Sequence, residues 1–221
     1  MSRPAPTAVD TTVRLLGEDI IDGRYAAGEP LIEGELVDRY AVSRTTVRAA
    51  LLVLDARGFI TAAAGRRARV ADLSDDEAVA LYRLRNTLEP MLIARFTERA
   101  SARQIDDLDR AMGRFSDTAR RSEDIRRIHR ARDDFYEVLF EGAESRALEH
   151  AVRNEYAGLA VYRRSRLTRE QELIRIRRSA ASVRRVVPTI SRREPTAASR
   201  FSALRLSEDG EATLRALRAG R

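Results

Sequence analysis

The sequence predicts a mainly α-helical protein with one small β-hairpin near its N-terminus and an antiparallel helical bundle after it. Three observations carry this reading. Apolar residues recur at spacings of three and four through most of the 221 residues. Strand-like stretches are confined to "FIT" at 59–61 and "ARV" at 68–70. Residues that start or stop helices, among them Gly23, Ser43, Gly58, Ser74 and Pro195, fall between the periodic segments.

In chain order, the first eight residues read as a disordered lead. A helix is expected over about 10–22, with Val13, Leu16 and Ile20 on one face and Gly23 ending it. "AAGEPL" is a turn, and a second helix over about 33–40 buries Leu36 and Val37. Ser43 is a good N-cap for a third helix. Its capping box is incomplete, because Thr46 stands where Glu or Gln would complete it. Val47, Ala50, Leu51 and Leu54 form the buried stripe of that helix, and Arg44, Thr45 and Arg48 share a sector beside it. After Gly58, the two strands flank "AAAGRR", a hairpin tip where Gly65 supplies conformational freedom. Helix, helix, turn, helix and basic hairpin is the order of a winged helix-turn-helix, here assigned to 9–72.

Leu73 to Asp76 read as a linker, with Ser74 or Asp75 capping the next helix. Helices are expected over about 75–100, 102–120, 123–141, 145–164, 170–192 and 195–207, a bundle occupying 75–207 with a C-terminal tail at 208–221. Pro90 should kink or split the first of these, and Pro195 should open the last.

Charge placement says more than its total. The net charge is +7 and the chain has no lysine, so all 41 basic residues are arginine. Residues 43–69 hold six arginines against Asp55 alone, whereas 10–38 hold eight acids against Arg14 and Arg24. The N-terminal part is therefore polarised, as a protein with one face toward nucleic acid would be. A second arginine-rich run, 161–193, alternates apolar and basic residues and reads as a solvated amphipathic face. Cysteine is absent, which excludes disulfides, thiolate metal sites and a cysteine nucleophile. Two unclustered histidines and no glycine-rich phosphate loop leave nothing to pair a nucleophile with a base, so no enzyme is expected. With no long apolar run and no signal peptide, a cytoplasmic protein away from membranes is expected.

With these residues assembled, "VSRTTVRAALLVLDARGFI" and the preceding "LIEGEL" resemble the GntR family of bacterial transcription regulators. The resemblance covers 13–70. "LYRLRNTLEP" and "RDDFYEVLFEGAESRAL" resemble, more loosely, the FCD-type effector domain of the branch that includes FadR. The resemblance implies a homodimer on an inverted-repeat operator in double-stranded DNA, each third helix reading a half-site in the major groove. Arg44 and Arg48 are then candidates for guanine edges, Thr45 and Thr46 for phosphate or a thymine methyl, and Ser43 for both cap and phosphate. Arg39, Gly65 and Arg66 join the set by the same resemblance, the last two at the minor groove.

Many FCD domains hold a divalent metal with one Asp and three His. Alignment on Phe135 and Pro195 places those positions at Arg132, Tyr136, Val183 and Arg205, which suit no cation, so neither metal nor other cofactor is expected. His129 and Asp133 have ligand spacing but are rotated from the family positions; a solvated face is expected for both histidines. Arg85, Arg132, Tyr136 and Arg205 instead suggest an effector site. An enclosed arginine needs a counter-charge, supplied either by an internal acid (Glu89, Asp133 and Glu137 are near in sequence) or by an anionic ligand such as a carboxylate. The expected function is a ligand-responsive regulator, most simply a repressor, in which effector binding acts on the DNA-binding domains through residues 72–76. The alternative is a constitutive dimeric DNA-binding protein whose bundle takes no effector.

Overall fold

The computed structural model describes residues 5–62 and 67–219, the last four of these as backbone. They form ten helices and one two-stranded antiparallel sheet. The chain divides into two compact units, Met1–Ala78 with Arg153–Ser165, and Val79–Val152 with Arg166–Arg221.

In the first unit, α1 (Ala8–Ile21) starts two residues earlier than its apolar spacing suggests. The reason is local: Thr7 caps it, and Asp10 completes a reciprocal capping box rather than opening the helix. α2 (Glu33–Tyr40) ends at Ala41, which takes a left-handed conformation with φ 51°. α3 (Arg44–Ala56) is capped as expected by Ser43, whose Oγ accepts the Thr46 N–H at 3.1 Å. β1 (Ile60–Thr61) pairs with β2 (Arg69–Val70), Ile60 opposite Val70, and Pro30 adds a bridge to Arg69. Val13, Leu16, Ile20, Leu36, Val47, Leu54 and Ile60 make one buried core. Val161 belongs to this core, so residues 153–165 are part of this unit although they follow it by about eighty positions. They lie outside the 9–72 expected for the winged helix-turn-helix, and a helix built of common core residues carries no mark of which core it joins.

The second unit is built from α4 (Asp75–Arg99, whose first turn belongs to the first unit), α5 (Ala102–Arg121), α6 (Ile125–Ala143), α7 (Arg146–Arg166, shared with the first unit), α8 (Arg169–Arg184), α9 (Val187–Ser191) and α10 (Pro195–Ala219). α5 packs chiefly on α6 and α8, and the core centres on Phe96, Leu108, Met112, Phe115, Phe135, Leu139 and Ile176. Ser74 caps α4, donating its N–H to Glu77 and accepting from the Glu77 N–H. Pro90 lies inside α4 without ending it; helix assignment continues through Arg99. The single helix expected over 170–192 is instead α8 and α9, because Pro188 has no N–H for the Arg184 carbonyl. The segment expected as a tail, 208–221, is helical through Ala219 as part of α10, with Thr213 buried.

Several arginines of the basic run end other helices. Arg177 Nε donates to the Ala119 carbonyl at 3.0 Å, and Arg169 to the Glu123 carbonyl at 2.9 Å, beside the C-terminus of α5. Arg95 does the same for α6 through the Ala143 carbonyl at 2.7 Å. Cations there satisfy orphan carbonyls and meet the negative end of the helix dipole.

Two helical glycines make a paired test of packing. A Cβ on Gly142 would meet the buried Phe96 ring at 2.4 Å, whereas one on Gly113 would meet nothing within 4 Å. Ala for Gly gains about 1 kcal/mol of helix propensity, but overpacking a filled core costs about 1–3 kcal/mol. Gly142→Ala should therefore lower the urea midpoint and Gly113→Ala raise it, a sign difference that equilibrium denaturation reads directly.

Candidate nucleic-acid interface and buried arginine cluster

The stripe Val47, Ala50, Leu51 and Leu54 is buried as the spacing requires, which turns the other side of α3 outward. Arg44 and Thr45 stand exposed on its first turn, and Arg44 has no hydrogen bond or ion pair among the described residues. The Thr46 hydroxyl is half-buried and lies 2.9 Å from Ser43 Oγ, inside the cap. Arg48 is exposed but held: its Nε donates to both Glu33 oxygens, at 3.0 and 2.9 Å. Arg39 Nε donates to Asp19 Oδ2 at 3.0 Å. Gly65 and Arg66 lie outside the described residues.

Asp19 also accepts from the Tyr40 hydroxyl at 2.9 Å and from Arg24 at 3.2 Å. Partial burial would raise its carboxyl, but Tyr40, Arg39 and Arg24 together hold it below the usual carboxylate value. Sequence reading picked out neither Asp19 nor Glu33 as part of this face. The only available signal was the acidic excess over 10–38, which does not say which acid meets which arginine.

In the second unit, α4, α6 and α10 bring three of the four residues expected at an effector site onto one carboxylate. Glu89 is fully buried. Its Oε2 accepts from Tyr136 at 2.7 Å and from Arg85 Nη2 at 3.3 Å, and its Oε1 is in direct ion contact with Arg205. Burial, then the like charge of Arg85, pulls the Arg205 guanidinium down to about 9, so it remains protonated at neutral pH. Arg132 turns instead to Asp133 Oδ1, 3.2 Å from its Nε. Of the two kinds of counter-charge the sequence leaves open, internal acids are therefore present. Arg205 Nε and Ser202 Oγ are buried without a hydrogen-bond partner among the described residues.

The four positions that FCD domains use for a metal do not fit one here. Arg132 and Arg205 would repel a dication, Val183 is a buried hydrocarbon in the core, and Tyr136 already donates to Glu89. His129 is not on a solvated face as expected. It is largely buried, and burial, then nearby Arg132, pulls its pKa down to about 4. Glu172 Oε1, 3.7 Å from Nε2, offsets this only in part, being engaged with Arg175 at 2.7 Å. His150 is exposed.

Two outcomes follow. Glu89→Leu strips Arg205 of its carboxylate and should cost about 3–5 kcal/mol, part of which Arg205→Met in the same chain should restore, as chemical denaturation of the two variants would show. His129 is neutral in the folded chain down to about pH 4 but protonates near 6.5 when unfolded. The unfolded state thus binds more protons between these values, so stability falls as pH drops from 6.5 to 4, by about 3 kcal/mol in all. His129→Asn should flatten that stretch of the stability profile.

The fold has known counterparts. The structure of E. coli McbR/YncC superposes with a TM-score of 0.72 at 17% identity, covering 96% of this chain and 98% of that one. A regulator described as a putative GntR from Rhodococcus sp. RHA1 gives 0.69 at 18% identity, covering 93% and 97%. At these identities the likeness concerns the fold. In sequence, the chain is 37% identical over 91 residues to the uncharacterized HTH-type transcriptional regulator BphR of Paraburkholderia xenovorans (strain LB400). That match takes in 39% of this chain and spans 37% of the relative's length. No helix among the described residues is long and apolar enough to cross a membrane. Residues 8–70 match the bacterial regulatory proteins of the gntR family and 80–207 match the FCD domain, so the chain belongs to the gntR family, in the branch that carries an FCD domain.

Proposed function

We propose that this chain is a cytoplasmic, homodimeric transcription regulator, most simply a repressor, that binds an inverted-repeat operator through α3 and answers to a small anionic effector in its FCD domain. The observation that carries the DNA-binding part is Arg44. It is an exposed guanidinium without a partner among the described residues, on the first turn of a helix whose opposite face is locked in the core. Such a group suits a guanine edge, while the capped helix N-terminus suits phosphate. One helix reads few base pairs, so two copies on a palindrome supply the specificity that one lacks.

The effector part rests on two buried guanidinium groups converging on the single carboxylate of Glu89. A carboxylate ligand would take up Arg205 by the same chemistry, with Arg132, Arg85 and Tyr136 around it. To act as a switch it must favour one arrangement of the domains, transmitted through residues 72–76. The same Glu89 also favours a second reading: an internally neutralised bundle that needs no ligand, in a constitutive DNA-binding dimer. A thermal-shift screen of carboxylates and sugar acids separates the two, since only the first predicts an anion that both raises Tm and changes operator affinity.

Selection from a random duplex pool should return an inverted repeat. Arg44→Ala should then flatten preference at one position of each half-site by about tenfold or more while thermal stability holds. Wild-type protein that ignores every duplex in dilute salt would sink the reading.

A further inference from the structure

Arg48 and Arg39 are held in the same way. In each, the carboxylate takes the guanidinium at Nε: Glu33 for Arg48, at 2.9 and 3.0 Å, and Asp19 for Arg39, at 3.0 Å. The terminal nitrogens Nη1 and Nη2 of Arg48 have no hydrogen-bond partner among the described residues, whereas the Arg39 guanidinium also lies over the Tyr40 ring, 5.9 Å from its centroid, and interacts with that side chain. Nη1 and Nη2 form the fork that matches guanine O6 and N7, or two phosphate oxygens. Both struts reach across the unit. Glu33 is the first residue of α2 and Arg48 lies on α3, whereas Asp19 lies on α1 and Arg39 on α2.

The Glu33–Arg48 pair is poorly placed to stabilise the fold. Its side chains are 64% and 36% exposed for arginine and glutamate, and ion pairs this wet add little to folding. An acid beside a surface meant for DNA also repels phosphate, so its presence needs a compensating use. A free arginine side chain loses much rotamer freedom on docking; one already fixed at Nε loses less, and it offers its fork in one orientation.

We propose that Glu33 is a positioning residue that sets base selectivity by fixing Arg48 at Nε and presenting its Nη1–Nη2 fork to DNA. This rests on the DNA-binding reading above and adds the residue that aims the contact. Glu33 touches no base in this scheme and acts only through Arg48.

The test uses the full chain and three duplexes: the selected operator, the same operator changed at the one base pair whose preference Arg48→Ala abolishes, and an unrelated sequence. Glu33→Ala should lower the ratio of affinities for the first two about tenfold. Affinity for the unrelated duplex should hold or rise, because a repulsive charge has gone. Tm should not move, and Glu33→Gln, which keeps an acceptor without the charge, should fall between wild type and Glu33→Ala. In an Arg48→Ala background, Glu33→Ala should leave the ratio unchanged. A purely electrostatic role for Glu33 predicts instead that all three affinities rise by one factor with the ratio intact, which would overturn the proposal. An equal drop in ratio with Arg48 already removed would also overturn it. Wild-type protein that binds no duplex removes both this inference and the reading beneath it. Protein that binds, loses selectivity with Arg44→Ala and keeps it with Glu33→Ala removes this inference alone.

Discussion

The rotational setting of α3 governs the first unit. Val47, Ala50 and Leu54 are almost wholly excluded from solvent, and each would have to leave the core if the helix turned about its axis. Burying such side chains is worth about 1.5–3 kcal/mol each for the larger ones, far above anything an exposed arginine could oppose. The apolar stripe thus decides which residues face outward, and Arg44, Thr45 and Arg48 are among them, with Leu52 further along the helix. The Ser43 cap adds the second restraint by fixing where the helix starts. With rotation and origin both set, only the side-chain torsions of its arginines remain to be decided, and for Arg48 the carboxylate of Glu33 restrains them.

The second unit faces a different problem: it has put charge where water is scarce. Arg85, Glu89, Arg132 and Arg205 are all buried. Desolvating ions is costly, and a buried pair usually does no better for stability than hydrocarbons of similar volume. What it does is restrict alternatives. Glu89 is met by hydrogen bonds from its own helix and from α6, and by an ion contact from α10, so those three helices can share it in few registers. The shared anion is a glutamate, and the groups that converge on it are two side-chain cations and a phenol.

Features of this chain written within a few neighbouring residues were readable from sequence alone. Ser43 announces its helix because cap and apolar stripe lie within one turn of each other, and α2 was placed at Glu33–Tyr40 by its apolar pattern and flanking turn. What escaped is non-local. Arg48 finds Glu33 fifteen positions away and Arg39 finds Asp19 twenty away, and no periodicity encodes such a pairing. Val161 joins a core otherwise made before residue 72. His129 is another case: a solvated face is the expectation from its own helix, whereas the packing around it buries the imidazole beside Arg132 and Glu172. Of the two effects expected of Pro90, a kink or a split, the split does not occur: Glu89, Leu92 and Ile93 around it are buried, and α4 runs on through Arg99.

The absence of lysine acquires a physical meaning on the α2–α3 face, whatever composition bias produced it. An ammonium is a single point: a carboxylate that holds it occupies the group that would reach the ligand. A guanidinium has two separable ends. Its Nε can be tied to a protein carboxylate while Nη1 and Nη2 stay available in a fixed plane. Arg48 is bound in this divided manner and Arg39 is held by both Asp19 and the Tyr40 side chain, whereas Arg44, with no tie among the described residues, is the adaptable member of the three. A rigid group cannot follow a misplaced acceptor, whereas a mobile one can. The face thus carries one fixed fork beside one adjustable side chain, and under the DNA-binding reading proposed above each would read its own base, Arg48 with the smaller loss of freedom on docking.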